Sequence, residues 1–472
     1  MHPKTPFFNG LSRHLFGRRP VSALVQISRA RAKADSLCLA GIQALFGAAI
    51  PDSLFVKRPR SRDRVFTTAT TFYTFLSQVL DPGSCCVRAV ARLGAMRGAA
   101  GLEIPSGGTG PYCEARVKLS VRTLVKIRDH LTARLCGSPE GGREVVFDGT
   151  GVSMPDTPTL QKKYPQPGSQ KPGCGFPQLK LVGLFDMASG AWIAFSKCHR
   201  KRHEARLFRN LYRYLRKGDT VVTDRGFCSY FTFVELAAMG VELVMRNHQM
   251  RKSDFRRGIR LGHKDHLIQW DKPAKPRWMK QADYDAAPDV LVLPETASTM
   301  ENRGFRSEKV ILVTTYLGKE EKSSAELAEI YLRRWRVELF FDDIKTTMDM
   351  DVLRTKSPAM VCRELLMHMI AYNLLRLAVA RSGGSPERTS FKGTLDRVQV
   401  WEPYIIGESS PRKRAHAVAE MLAAIAGGQV PNRPGRREPR VKKRRPKTYQ
   451  LMTSPRARMR ELPHRGKRRK AA

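Results

Sequence analysis

Val145-Val146-Phe147-Asp148 opens the part of the chain that decides its fold: three β-prone residues deliver an acid at the end of their run. Leu179 to Asp186 and Ala191 to Ser196 read as two further strands, joined by the turn-forming triplet Ala188-Ser189-Gly190. His203 to Leu215 then has helical spacing, and Asp219 to Thr223 forms a fourth strand that ends at Asp224. Strands on both sides of a helix predict an α/β core rather than a helical bundle.

Outward from this core the texture changes twice. Residues 1–140 read as a helical, DNA-binding region, with helices over Thr68 to Leu80, Val87 to Met96 and Ala115 to Leu135. Pro82-Gly83 and Pro105-Ser106-Gly107-Gly108 interrupt them. The core is expected over 141–381, interrupted at about 243–308 by a β-rich insertion containing Val290-Leu291-Val292-Leu293. It resumes with Lys309 to Thr315, a long helix from Ser324 to about Met348, and another from Ala359 to Arg381. Residues 382–430 form a C-terminal helical segment, with a helix from about His416 to Ala426, and 431–472 a basic tail. That tail has few large apolar residues and is expected to be disordered alone and to order on DNA.

The 472 residues carry 84 Lys+Arg against 43 Asp+Glu, a formal charge of +41. Such an excess attracts a polyanion, because each cation set against a phosphate releases condensed counterions. Seventeen Lys/Arg and two Glu lie between Arg433 and Lys470, so most of the excess belongs to the body of the chain. No apolar run approaches a membrane span, and the first twenty residues lack the apolar core of a secretion signal. Nine scattered cysteines without a C-x-x-C pair argue against a disulfide framework or a zinc site and fit a reducing cytoplasm. Cys198-His199 with His203, and His263 with His266, read as polar surface rather than metal ligands.

Three acids stand out by context. Asp148 and Asp224 each end an apolar strand, where ligands gather in open α/β sheets, although an acid there is often only a turn or cap residue. Glu338 lies in the long helix with Tyr331, Arg334 and Lys345, at spacings of three, four and seven residues. At about 100° per residue these four share one narrow arc. An ordinary salt-bridged face has the same pattern. The chemical reading is phosphodiester cleavage: two Mg²⁺ ions held by Asp148, Asp224 and Glu338, with Arg334 and Lys345 on phosphates and Tyr331 bonding a phosphate or stacking on a base.

Tyr331-x2-Arg334-x3-Glu338-x6-Lys345 resembles the signature of DDE transposases of the insertion sequence four family. VVFDGTGVSMPDT around Asp148, VVTDRGF around Asp224 and the intervening GFPQLKLVGLFDMASGAW match as well, and the likeness covers roughly residues 65 to 380. The resemblance implies a ribonuclease H-like mixed sheet flanked by helices, with a β-strand insertion between the second Asp and the Glu. It implies cut-and-paste transposition, compatible with a hairpin intermediate. Asp148, Asp224 and Glu338 would be the catalytic and metal-binding triad, loaded with two Mg²⁺ ions that Mn²⁺ can replace. Tyr331, Arg334 and Lys345 would steady the transposon end. An insertion-domain Trp stacks on a flipped base in some relatives, which makes Trp270 and Trp278 candidates. Asp156, Asp186 and Asp342 fall off the triad, the first two as turn or supporting residues. The implied partners are double-stranded DNA, both terminal inverted repeats and target, and a second copy of the chain, in a bacterial cytoplasm beside the nucleoid. The rival readings are a non-catalytic relic or domesticated descendant, a nuclease, a serine- or tyrosine-type recombinase, and a basic structural RNA-binding protein.

Overall fold

A computed structural model describes residues 23–47, 49–55, 65–81, 83, 85–137, 142–199, 204–300, 308–317, 322–431 and 451–459. The chain divides into two compact units, residues 1–127 with 395–424, and residues 128–394 with 425–472.

The first unit gathers the helices Ala23–Phe46, Thr68–Leu80, Cys86–Ala99 and Gly110–Lys118. Thr68–Leu80 is its core: Thr67 caps it by accepting from the Thr70 amide, and twelve of its thirteen residues are buried. The expected helix from Ala115 to Leu135 is two, Gly110–Lys118 and Val121–Cys136. They part because Leu119 turns to extended ψ and the Ser120 hydroxyl accepts from the Thr123 amide, starting a new helix. Residues 395–424, read from sequence as part of a separate C-terminal segment, belong to this unit. Glu402 holds them there, accepting from the Tyr73 hydroxyl at 2.8 Å and pairing with Arg92 at 3.2 Å.

The second unit is built on nine strands, β1 Glu144–Ser153, β2 Gln178–Asp186, β3 Trp192–His199, β4 Thr220–Thr223, β5 Glu242–Arg246, β6 Ile259–Gly262, β7 Asp265–Asp271, β8 Val290–Met300 and β9 Glu308–Thr314. They form one sheet in the order β3-β2-β1-β4-β5-β9-β8-β7-β6. β2 runs antiparallel to its two neighbours β1 and β3, while β4 and β5 run parallel to β1. This is the mixed sheet flanked by helices that the sequence leads one to expect. Val145, Val146 and Phe147 are buried because β1 lies at its centre, covered on both faces, which is why its sequence is a continuous apolar run.

The insertion differs in its limits from the sequence reading. Leu243, where it was placed to begin, lies inside β5, the fifth core strand. The inserted strands β6 to β8 return through β9, which pairs antiparallel with β5, so they widen the core sheet instead of forming a sheet of their own. The basic tail also departs from expectation: residues 451–459 are seated on the second unit, with the Met452 amide donating to the Cys174 carbonyl at 3.1 Å. The remainder of the tail, and residues 1–22, lie outside the described residues.

Candidate active site

β1 and β4 pair in register, Val145 with Val221 and Val146 with Val222. Two residues beyond this last rung stand Asp148 and, just past the end of β4, Asp224, so the parallel register carries both acids toward the same end of neighbouring strands. β4 pairs on with β5, Thr223 with Met245, which sets Arg246 beside Asp224. Asp148 Oδ1 accepts from the Gly149 amide at 2.7 Å, and Asp224 Oδ1 from the Arg225 amide at 2.8 Å. Opposite Asp148 on β2 is Gly183. A Cβ there would stand 2.6 Å from the Phe185 ring and 3.1 Å from Phe341. The missing side chain lets the helix bearing Phe341 and Glu338 lie close against β1.

That helix is not the uniform rod expected from Ser324 to Met348. It runs as Ser324–Arg333, opened by a Ser323/Glu326 capping box, then Arg336–Asp342, then a π-helical turn Asp343–Thr347. Between the first two parts the bonds tighten to three-residue spacing: Arg334 to Tyr331, Trp335 to Leu332, Val337 to Arg334 and Glu338 to Trp335. The Asp343 carboxylate meets the buried Arg376 guanidinium at 3.0 Å in the widened turn. Such departures from the α-helix are common at functional sites.

The tightened turn groups Tyr331, Arg334 and Glu338 around Asp224. The Tyr331 hydroxyl donates to Asp224 Oδ1 at 3.4 Å, and Arg334 Nη2 lies 3.7 Å from Glu338 Oε1. Arg334 Nε is buried without a hydrogen-bond partner, a cost of about 1–3 kcal/mol unless a ligand accepts from it. Lys345 departs from the arc that uniform helical spacing predicts. The π turn carries it to β1, where its ammonium donates to the Thr150 hydroxyl at 3.1 Å and pairs with Asp351 at 2.9 Å. Thr150 is two residues past Asp148, on the same side of the strand.

The remaining candidates separate. Trp270 belongs to the apolar core, edge-on to Phe233, with the Arg251 guanidinium 3.7 Å over its ring. Contrary to the base-stacking expectation it presents no open ring face, because β7 turns it inward. Trp278 is half exposed, with Arg209 stacked 3.5 Å over its ring. Asp186 accepts from the Ser189 amide and hydroxyl, and Asp342 from the Thr346 hydroxyl, so neither joins the triad residues.

Comparison with known proteins adds the family. The Transposase DDE domain matches residues 139–374, half of the chain. The chain belongs to the DDE transposases. It is 26% identical over 327 residues to the transposase InsG of insertion sequence element IS4 from Escherichia coli K12, covering 65% of this chain and 68% of that one. It is 22% identical over 289 residues to the Escherichia coli transposase of element IS421, covering 55% and 71%. A cryo-EM structure of the piggyBac transposase synaptic complex with hairpin DNA aligns over 82% of this chain and 85% of that chain, at TM-score 0.41 and 10% identity, too distant to bear on the site.

The electrostatics of this transposase's acids are unbalanced. Burial pushes Asp148 up to about 6; the Gly149 amide and Arg334 oppose the rise, while Glu338 and Asp224 add to it. Burial also raises Glu338, against Arg334 and with Asp224. The three acids are thus close enough to repel one another. Among the described residues, no three His, Cys, Asp or Glu side chains stand close enough as they lie to hold one metal ion. The donor chemistry nevertheless fits a hard divalent cation, which takes several carboxylate oxygens and would relieve this repulsion.

Asp148 therefore has a pH signature. An acid raised in the folded state costs nothing below about pH 4, where folded and unfolded chains are both protonated. The cost grows between about pH 4 and 6 as the unfolded chain ionises first, and is complete above about 6. Metal-free Asp148→Asn is accordingly expected to be more stable than the parent by about 1–3 kcal/mol at pH 7, the gap closing toward pH 4. Urea unfolding across that range measures it, and a gap independent of pH would contradict the assignment.

The sequence reading missed Thr150, Asp351, Arg246 and the Asp343–Arg376 pair. Only Thr150 carried a signal, its even spacing from Asp148 on one strand. The others depend on strand register or on the path of the chain after the π turn, where Val352 bridges to Ser153 at the end of β1.

Proposed function

We propose that this transposase cuts DNA at the ends of its own insertion sequence and joins the freed 3′-hydroxyls to target DNA, a cut-and-paste reaction dependent on Mg²⁺. What supports this reading is that Asp148 and Asp224 follow paired stretches of neighbouring parallel strands, that they and Glu338 lie in electrostatic reach of one another, and that the buried Arg334 Nε is left unpartnered. Two Mg²⁺ ions, replaceable by Mn²⁺, would be held by Asp148, Asp224 and Glu338 and would supply Lewis-acid stabilisation of attacking and leaving oxygens.

The chain's own residues supply position. Arg334 offers the donor geometry that grips a phosphate by two parallel bonds, and its unpartnered Nε gains an acceptor on binding. Lys345 adds a point charge along β1, and Tyr331 donates beside Asp224. Burial pushes the Tyr331 phenol up to about 12, so at neutral pH it keeps its proton and serves as a donor beside Asp224. Pairing two element ends requires two protomers, so the active species is a dimer on DNA in the bacterial cytoplasm, beside the nucleoid. Among the described residues no helix is long and apolar enough to cross a membrane.

The test is an element-end duplex incubated with the full chain, with and without Mg²⁺. Cleavage at the element boundary is expected only with the ion. A protein–DNA adduct that survives denaturation, or equal cleavage in chelator, would refute the reading.

A further inference from the structure

The seated piece of the tail is held by one side chain with an unusually complete set of partners. The Arg456 guanidinium pairs with the Asp156 carboxylate, and its Nη1 donates to the carbonyls of Gly173 and Gly175, each at 3.3 Å. Its central carbon lies 4.9 Å over the Phe176 ring. The backbone joins in: the Arg456 amide donates to the Gly173 carbonyl at 3.3 Å. Gly173 has φ +73°, and a Cβ on it would stand 3.2 Å from Pro455. A carboxylate, two carbonyls and an aromatic face match a planar guanidinium and suit a lysine ammonium poorly. Asp156, read from sequence as a supporting residue, is the anionic wall of this pocket, with Gln161 donating to its other oxygen at 2.7 Å.

The pocket divides the tail's charge. Residues 432–450 carry nine Lys/Arg and one Glu, and residues 460–472 carry six and one. It also lies where β1 runs out past Asp148. Ser153 ends that strand five residues on, about 17 Å further at strand rise.

We propose that the loop between β1 and β2 is an arginine-binding site that anchors the chain's own tail through Arg456, so that the cations on either side of the anchor in sequence add to the binding of DNA phosphates. This rests on the DNA-transposing reading above. Anchoring adds no phosphate contact. It raises the effective concentration of the flanks near the bound duplex, so it changes affinity without changing the number of counterions released.

The experiment uses the full-length chain in two steps. Without DNA, hydrogen exchange is expected to find the Met452 and Arg456 amides protected, and Arg456→Ala or Asp156→Asn to speed their exchange at least tenfold while β1 to β5 are unchanged. Then binding of a random-sequence duplex is titrated against salt. Arg456→Ala is expected to weaken binding about tenfold, with the salt slope altered by less than one counterion. Arg458→Ala, which removes the same charge from an exposed position two residues on, should stay within twofold of the parent. Unprotected 451–459 amides in the parent would overturn the anchor. Equal affinities for Arg456→Ala and Arg458→Ala would overturn its role on DNA. Neither result touches the cleavage reading, which stands or falls with Mg²⁺-dependent cutting.

Discussion

Asp148→Asn, Asp224→Asn and Glu338→Gln are each expected to lower element-end cleavage by roughly 10²–10³-fold or more while leaving end binding within a few fold. Each change is nearly isosteric and removes one anionic oxygen donor, so the lost step is charge stabilisation rather than folding or docking. Asp148→Asn makes the sharper case, because it should gain stability as it loses activity. Its carboxylate is ionised at neutral pH against burial and two like charges, a cost that the amide does not bear. Divalent ions should raise the melting temperature of the parent and move that of Asp148→Asn much less, a readout independent of DNA. Gel-based cleavage, end-binding titration and thermal melts with and without Mg²⁺ separate the effects. Undiminished cleavage by any of the three variants removes that residue from the site.

How much of this was legible from the chain alone follows the range of the interactions. β1, β2 and β4 were readable because central strands buried on both faces are continuous apolar runs, and the helix over Thr68–Leu80 because its cap and apolar face are local. The five-residue strand Glu242–Arg246 was hidden, since Leu243, Val244 and Met245 make too short a run to distinguish from an inserted strand. The break at Arg334 and Trp335 contains neither Gly nor Pro. It answers to tertiary contacts, such as Arg336 donating to the Met187 carbonyl and Asp343 held by Arg376. Residues 395–424 join the N-terminal helices through Tyr73 and Glu402, separated by 329 positions, and no local pattern reports that. Arg456 was invisible for the opposite reason, being one cation among seventeen.

The site was more legible than its geometry. Asp148, Asp224, Tyr331, Arg334 and Glu338 were nameable from motif and spacing, and the structure brings them into one neighbourhood. Lys345 was placed on the same stripe by counting 100° per residue, and the tightened and widened turns make that count fail. What the counting could not supply is the level at which β1 and β4 meet, and one buried ion pair accounts for that.

Asp219→Ala is expected to destabilise the second unit by about 3–5 kcal/mol. Asp219 and Arg143 face each other at 2.6 Å with side chains 1% and 3% exposed. Asp219 Oδ1 accepts from the Arg143 amide and Nε, both at 3.1 Å, and Oδ2 also accepts from the Arg216 amide at 2.9 Å. Truncation leaves a buried guanidinium with the Tyr214 carbonyl, 3.0 Å away, as its remaining partner among these contacts. Arg143→Met in the same chain should recover much of the loss, because an apolar pair of similar volume avoids the uncompensated charge. The pair sits where β1 and β4 begin, and the Thr220 amide donates to the Arg143 carbonyl at 2.7 Å in the first rung of their ladder. Gly142 permits the approach: its φ is +84°, and a Cβ there would collide with the Gly218 carbonyl. Fixing this first rung fixes every later one, and with them the end of the strands toward which Asp148 and Asp224 are carried. Urea unfolding followed by fluorescence measures the loss, and a change under about 1 kcal/mol for Asp219→Ala would show that register is set elsewhere. The double variant tests the functional link. If the ion pair matters only for stability, cleavage returns with folding; if charge pairing holds the rung, the refolded double variant still cuts more slowly than the parent.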